Sequence, residues 1–258
     1  MLIAACNCEN PNSKTPPTTT NHAGNKAPQV VDDKSSAGGK TERPSSPKPW
    51  DATGNIYKAA AWIDATDAWL KQLGIDKTKK ETVVINASNP SIKSPLGGID
   101  GALGNWARAN QTTPWTNPIP TLPNGKDAPN TLEAGNFALF PVSFGAIYLA
   151  VGPRCSQVQA LTKTKDLIAN LYYNILMQAK KDKMKCVVLC AISTDIFAGD
   201  GKETDTGKQF KKEEFVTNVY EGMQQGIAQF QQATPKHTLK IILNNWAEKE
   251  VDEIKRLN

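Results

Sequence analysis

Histidine is nearly missing from this 258-residue chain, which has only His22 and His237. His22 stands in a Pro/Thr/Asn-rich stretch and His237 in "ATPKHTLK", and neither has a Cys or His partner at zinc-ligand spacing. A protein-held metal is therefore not expected, and a Ser-His-Asp or Cys-His apparatus would lack its usual base. Cysteine is scarce as well. Five is an odd number, which argues against a disulfide framework. Cys186 and Cys190 fall in the apolar run "CVVLCAI", where burial on a strand accounts for them without chemistry. No apolar run approaches the ~20 residues of a membrane-spanning helix. An excess of one charge is also lacking. The net charge is +5, and residues 1 to 50 carry six Lys/Arg against four acids, which leaves 24 basic and 21 acidic residues beyond them. That balance is too even for a dedicated nucleic-acid binder, although a mildly positive field attracts an anionic small molecule.

What is present divides the chain. Residues 1 to 50 are built from Pro, Thr, Ser, Asn, Lys and Gly ("PNSKTPPTTTNHAGNKAPQ", "SSAGGKTERPSSPKP"). Such a stretch cannot bury enough apolar surface to offset its ordering entropy, so it is expected to be a disordered tether. One domain remains, residues 51 to 258. The first residues, "MLIAAC", end as a bacterial lipoprotein signal does, in a branched apolar residue, two small ones and then Cys6. The charged start and most of the apolar stretch of such a signal are missing. Two localisations follow as expectations: a lipid anchor at Cys6 on an extracytoplasmic lipoprotein or, failing that, the cytoplasm.

Within the domain, strand and helix patterns alternate. "IYKAAAWIDA" reads as a first strand or short helix, and "DAWLKQLGID" as a helix. "TVVINA" reads as a buried strand, and "GIDGALGNWARAN" as a helix entered through glycines. A Pro/Thr/Asn loop follows from about residue 111 to 130, then the strand "GAIYLAVGP". Residues 156 to 180 set Val158, Leu161, Ile168, Leu171, Tyr172, Ile175 and Leu176 at helical spacing, a stripe that reads as core. "KCVVLCAI" is a strand, "KEEFVTNVYEGMQQGIAQF" a helix, "LKIILNNW" a last strand and "EKEVDEIKRL" a last helix. Alternation of this kind predicts an α/β fold, a three-layer α/β/α sandwich around a mixed, mostly parallel sheet.

In such sheets ligands bind where strand C-termini open into loops. Two loops stand out: "SNPSIKSPLGGIDG" after "VVINA", and "STDIFAGDG" after "CVVLCAI". Gly97 and Gly98 ahead of a helix start let backbone amides approach a ligand, and the helix N-terminus adds partial positive charge. Together they suit an anion, phosphate above all. Two such loops suggest a diphosphate, although glycine-rich turns also simply end strands. The familiar nucleotide motifs do not fit: "GGIDG" is not G-x-G-x-x-G, and "GGKT" at 38 to 41 lacks the earlier glycine of a P-loop.

Ile85-Asn86-Ala87-Ser88-Asn89 followed by Gly97-Gly98-Ile99-Asp100-Gly101-Ala102-Leu103 resembles the signature of macrodomains, the ADP-ribose-binding α/β/α modules that read V-N-A-A-N and then G-G-G-V-D-G-A-I. "AIYLAVGPR", "AISTDIFAG" and "LKIILNNWAEKEVDEI" resemble that family's later segments in order, so the resemblance spans nearly all of residues 60 to 258. It implies a role for each matching position. Asp64 in "WIDAT" would accept from the adenine amino group, and Asn86 would belong to the ligand site. Asn89 would contact the distal ribose. Gly97, Gly98 and Ile99 would cradle one phosphate, while Ser193, Thr194, Asp195, Ile196 and Phe197 would wrap the other phosphate and the distal ribose. Trp246 would stack on adenine. Asp100 matches the acid that, in the hydrolase branch, orients a water near the anomeric carbon, with Asn89 beside it as the second catalytic candidate.

Departures from the pattern set limits. The glycine triplet is a pair, Gly104 stands where the hydrolase branch often has histidine, and Asp195 and Ala198 replace glycines of the second loop. A carboxylate facing a diphosphate repels it by roughly a kcal/mol or more at 4 Å. Three readings follow. One is an ADP-ribosyl hydrolase that needs no cofactor. Another is a non-catalytic reader of ADP-ribose or ADP-ribosylated macromolecules. The third is an interaction module whose pocket has lost its ligand. A monomer is expected in each case.

Overall fold

The structure, a computed structural model, describes residues 56–57, 70–71, 73–92, 95, 98–110, 114 and 116–244, all within the unit Pro47–Asn258. The stretch assigned to a tether, with Cys6, lies outside the described residues, as does the helix expected in "EKEVDEIKRL".

Sequence hydrophobicity and position in the sheet agree. The strand Thr82–Ser88 (β2) is buried along its length save for the half-buried Ala87. An unbroken run of this kind belongs in the middle of a sheet covered on both faces, and there it lies, paired in parallel with Gly145–Val151 (β4) on one side and Cys186–Leu189 (β5) on the other. Lys240–Leu243 (β8) adds in parallel to β5, and Ile56–Tyr57 (β1) in parallel to β8. Phe137–Val142 (β3) closes the far edge antiparallel to β4. The order is thus β1-β8-β5-β2-β4-β3, a mixed, mostly parallel sheet.

Helices flank it: Gly98–Ala109 (α1), Leu161–Lys181 (α2) and Lys212–Ala233 (α3). The whole stripe read as core is core: Leu161, Ile168, Leu171, Tyr172, Ile175 and Leu176 are buried on α2, and Val158 is buried just ahead of it. In "IYKAAAWIDA", Ile56 and Tyr57 are strand and the rest lies outside the described residues.

Two elements were not anticipated. The edge strand β3 carries Pro141 in mid-strand, which counts against strand in a sequence reading. Leu139 donates to and accepts from Thr121 on the outer edge, so Pro141, two residues on, turns its missing N–H outward, where the ladder does not need it. A short hairpin, Gly201–Lys202 (β6) with Gln209–Phe210 (β7), also follows the second loop. Its Glu203 carboxylate accepts from the Leu161 N–H at the start of α2 (2.9 Å) and from the Thr206 hydroxyl. Asp200, just ahead of it, accepts from the Lys212 N–H at the start of α3 (2.9 Å) and pairs with Lys211 (2.8 Å). The segment between second loop and α3 therefore satisfies an orphan donor at the N-terminus of each of the two long helices.

Candidate functional site

Both loops singled out in the sequence leave the C-terminal ends of adjacent strands, β2 and β5. At the end of β2 the polar residues are buried with the apolar ones: Asn86 is 0% exposed, Ser88 1%, Asn89 7% and Asp100 4%. Their side chains meet. The Asn86 amide donates to Ser88 Oγ (2.9 Å) and to Asp100 Oδ1 (2.6 Å), and the Asn89 amide reaches Asp100 Oδ2 (3.4 Å). A carboxylate in the first turn of α1 is thus fixed from below by the strand that precedes the helix. Charge-assisted bonds of this sort are short and directional. Asn86, expected to belong to the ligand site, is fully buried, with its amide turned inward to Ser88 and Asp100.

Gly98 opens α1 with φ +61°, a conformation that L side chains rarely adopt, and it is exposed. Ile99 is half-buried against the core. Gly97 lies outside the described residues, as do Asp64 and Trp246.

The second loop is held by groups that the sequence reading had placed only in the core. Tyr172, on α2 and fully buried, donates its hydroxyl to the Cys190 carbonyl and accepts from the Ile192 N–H (3.1 Å). Burial pushes its phenol well above the ordinary value, and the neighbouring Cys190 adds to the effect. It therefore stays a hydroxyl able to do both. Ser193 follows in the left-handed region (φ +69°), 4% exposed, its Oγ without a hydrogen bond among the described residues. A Cβ on Gly152 would overlap both Ser193 Oγ and Ile192 Cγ2, so the glycine of "VGP" is what lets β4 and the second loop touch. Thr194 is buried, Asp195 and Ile196 are exposed, and Phe197 is half-buried. The Phe197 carbonyl accepts from Cys155 N–H (2.9 Å), the Arg154 guanidinium lies over the Phe197 ring (4.7 Å), and the Ala198 N–H closes a turn on the Asp195 carbonyl (3.0 Å). Arg154 drew no notice in the sequence because a lone arginine after a turn carries no pattern.

Two clusters therefore stand on neighbouring strands: a buried Asp100 braced by asparagines beside a glycine-opened helix start, and a strained loop braced by Tyr172. The arrangement can present amides to an anion and a carboxylate to a water. Among the described residues no three His, Cys, Asp or Glu side chains converge as a metal site. A groove of about 540 Å³ between α2 and the β3 edge, lined by Asn136, Phe137, Asn174 and Met177 among others, includes none of these residues.

Residues 129–206 match a family model described as Macro domain, a span that holds β3, β4, α2, β5 and the second loop. No curated protein matches the sequence. Among solved structures the chain is similar to a Trypanosoma brucei macrodomain in complex with ADP-ribose, at 16% identity and TM-score 0.46 over 69% of this chain and 63% of that one. It is also similar to a mutant Oceanobacillus iheyensis macrodomain with ADPR, at 23% identity and TM-score 0.46 over 70% of this chain and 87% of that one. The chain thus spans slightly under two thirds of the Trypanosoma protein's length.

Proposed function

We infer that this chain, with its Macro domain match, is a macrodomain that binds ADP-ribose and hydrolyses ADP-ribosyl linkages. The observation that carries the reading is the Asn86–Asp100–Asn89 cluster at the C-terminal end of a central parallel strand, beside a helix start opened by Gly98 in the left-handed region. Its position is where α/β sheets take ligands.

In this reading the exposed start of α1 at Gly98, with Gly97 and Ile99, holds one phosphate through backbone amides and the helix dipole. Ser193 to Phe197 hold the other, with the Arg154 guanidinium over the Phe197 ring as a cation at this loop. Asn89 contacts the distal ribose, and Asp64 and Trp246 face adenine. Asp100 orients a water toward the anomeric carbon and stabilises positive charge that develops on the sugar as the bond to the leaving group breaks. Asn86 is a positioning residue: it sets the rotamer of Asp100 and does not touch ligand. ADP-ribose leaves as one product, and the freed side chain or nucleic-acid end as the other.

The test compares the full chain with Asp100→Ala in a de-ADP-ribosylation assay and in ADP-ribose titration. Loss of turnover with binding kept supports the hydrolase. Binding by both proteins with turnover by neither leaves a reader, and binding by neither leaves a domain whose pocket has been given up.

A further inference from the structure

The sheet has a second end, opposite the candidate site, and its charge is uneven. Three chain segments lead into β2, β5 and β8: 76–81 "DKTKKE", 180–185 "KKDKMK" and 235–240 "PKHTLK". These strands are neighbours. Lys185 N–H donates to the Glu81 carbonyl (2.7 Å), and Lys240 N–H to the Lys185 carbonyl (2.8 Å), so the three segments lie side by side. Together they carry nine lysines against three acids, and all nine lysines are exposed. The local excess of six is larger than the +5 of the whole chain.

The three acids, already subtracted in that excess, offset only three of the nine charges. Asp182 is turned inward, accepting from the Tyr148 hydroxyl (2.6 Å) and from Gln178 Nε2 (2.8 Å). Glu81 pairs with Lys185 at 2.9 Å, and Asp76 lies 3.9 Å from Lys79. Lys180 and Lys181 complement the C-terminal end of α2, but helix dipoles do not explain the lysines ahead of β2 and β8.

We propose that this rim is a docking surface for an anionic lipid membrane. The chemistry of the patch favours lipid over nucleic acid. The three segments contain lysine and no arginine, hence point charges without the fork that pairs bidentately with phosphate or guanine. They contain no Phe, Tyr or Trp on which a base could stack. The exposed large hydrophobics among the described residues, Ile119 and Ile196, lie outside the rim. The contact is therefore electrostatic and peripheral, as polybasic clusters make with anionic headgroups. The connection of the chain agrees. β1 runs parallel to β8, so Ile56, the first residue of β1, lies at this same end. A membrane held there leaves the candidate ADP-ribose site facing away from it.

The experiment is co-sedimentation of the full chain with vesicles of phosphatidylcholine alone, and of phosphatidylcholine with about one third phosphatidylglycerol as the anionic lipid. Binding to the anionic vesicles only, lost at high salt, is expected. Lys80→Glu/Lys240→Glu, folded by circular dichroism, should bind at least about thirtyfold more weakly. Lys202→Glu/Lys212→Glu, the same charge change away from the rim, should bind as the parent does. Failure to sediment with anionic vesicles overturns the proposal. Equal loss in both variants overturns it too, because net charge and not the rim would then be responsible. Tighter binding to duplex DNA than to vesicles at matched salt reassigns the rim to nucleic acid. None of these outcomes depends on whether the domain binds ADP-ribose.

Discussion

At the scale of single residues, the account turns on who holds Asp100. Replacing Asn86 by Leu keeps the branched shape and removes the amide that reaches Asp100 at 2.6 Å. In the proposed reading Asn86 positions Asp100 and does not bind, so kcat should fall about tenfold or more while KM stays near its parent value, a split that separates orientation from affinity. Tyr172→Phe removes the hydroxyl that donates to the Cys190 carbonyl and accepts from the Ile192 N–H. The cost should be about 1–3 kcal/mol in urea unfolding, with weaker ADP-ribose binding because the second loop is freed. Cys186 supplies a chemical check. Burial raises its thiol to about 11, only partly countered by Lys240, so iodoacetamide should label it far more slowly at pH 8 in the native than in the unfolded protein. Asn89, Gly98 and Asp100 were legible in the sequence because a motif carries them. The inward turn of Asn86 and the brace from Tyr172 were not, since a buried asparagine and a buried tyrosine read as ordinary members of a strand and a helical stripe. Their partners lie 14, 18 and 20 residues away, at separations that no local spacing reports.

At the scale of elements, the second loop is fixed from three sides: by α2 through Tyr172, by the end of β4 through the close approach at Gly152, and by the Cys155 N–H on the Phe197 carbonyl. Gly152→Ala should displace Ile192 and Ser193, lowering the melting temperature and weakening ADP-ribose binding more than Asn86→Leu does. Calorimetry on the two variants decides the order. The hairpin gives a pH dependence. The Leu161 N–H, and then the Thr206 hydroxyl, hold the Glu203 carboxyl below its ordinary value of 4.5. Its contribution to stability is thus complete above that value and is lost as pH falls through the lower folded-state value. Glu203→Gln should unfold with a flatter dependence on pH below about 4.5 than the parent does; an unchanged acid limb would show that the cap does not matter. The alternation of β2, α1, β4, α2, β5, α3 and β8 was legible from periodicity, because each buries a continuous run or a helical stripe. The edge strand β3 and the hairpin were not. One contains a proline tolerated only because its edge is free, and the other is two residues per strand, too short for any period to show.

At the scale of the molecule, the sheet separates two chemistries by strand polarity. Asn89, the start of α1 and the second loop gather where β2 and β5 end, while the lysines gather where β2, β5 and β8 begin. The modest overall charge hid this, since a net +5 on the chain conceals an excess of six at one end. Composition could argue against a dedicated nucleic-acid binder, but only the parallel topology brings three lysine-bearing segments together. The central claim remains the ADP-ribose site, and titration calorimetry of the full chain with ADP-ribose, with AMP as control, tests it most directly. The account predicts micromolar affinity, about −8 kcal/mol, that AMP does not reproduce, because the diphosphate and distal ribose meet the two loops. No heat from a protein shown to be folded would contradict it, and would mean that Asp195 and the shortened glycine pair have closed the pocket to diphosphate.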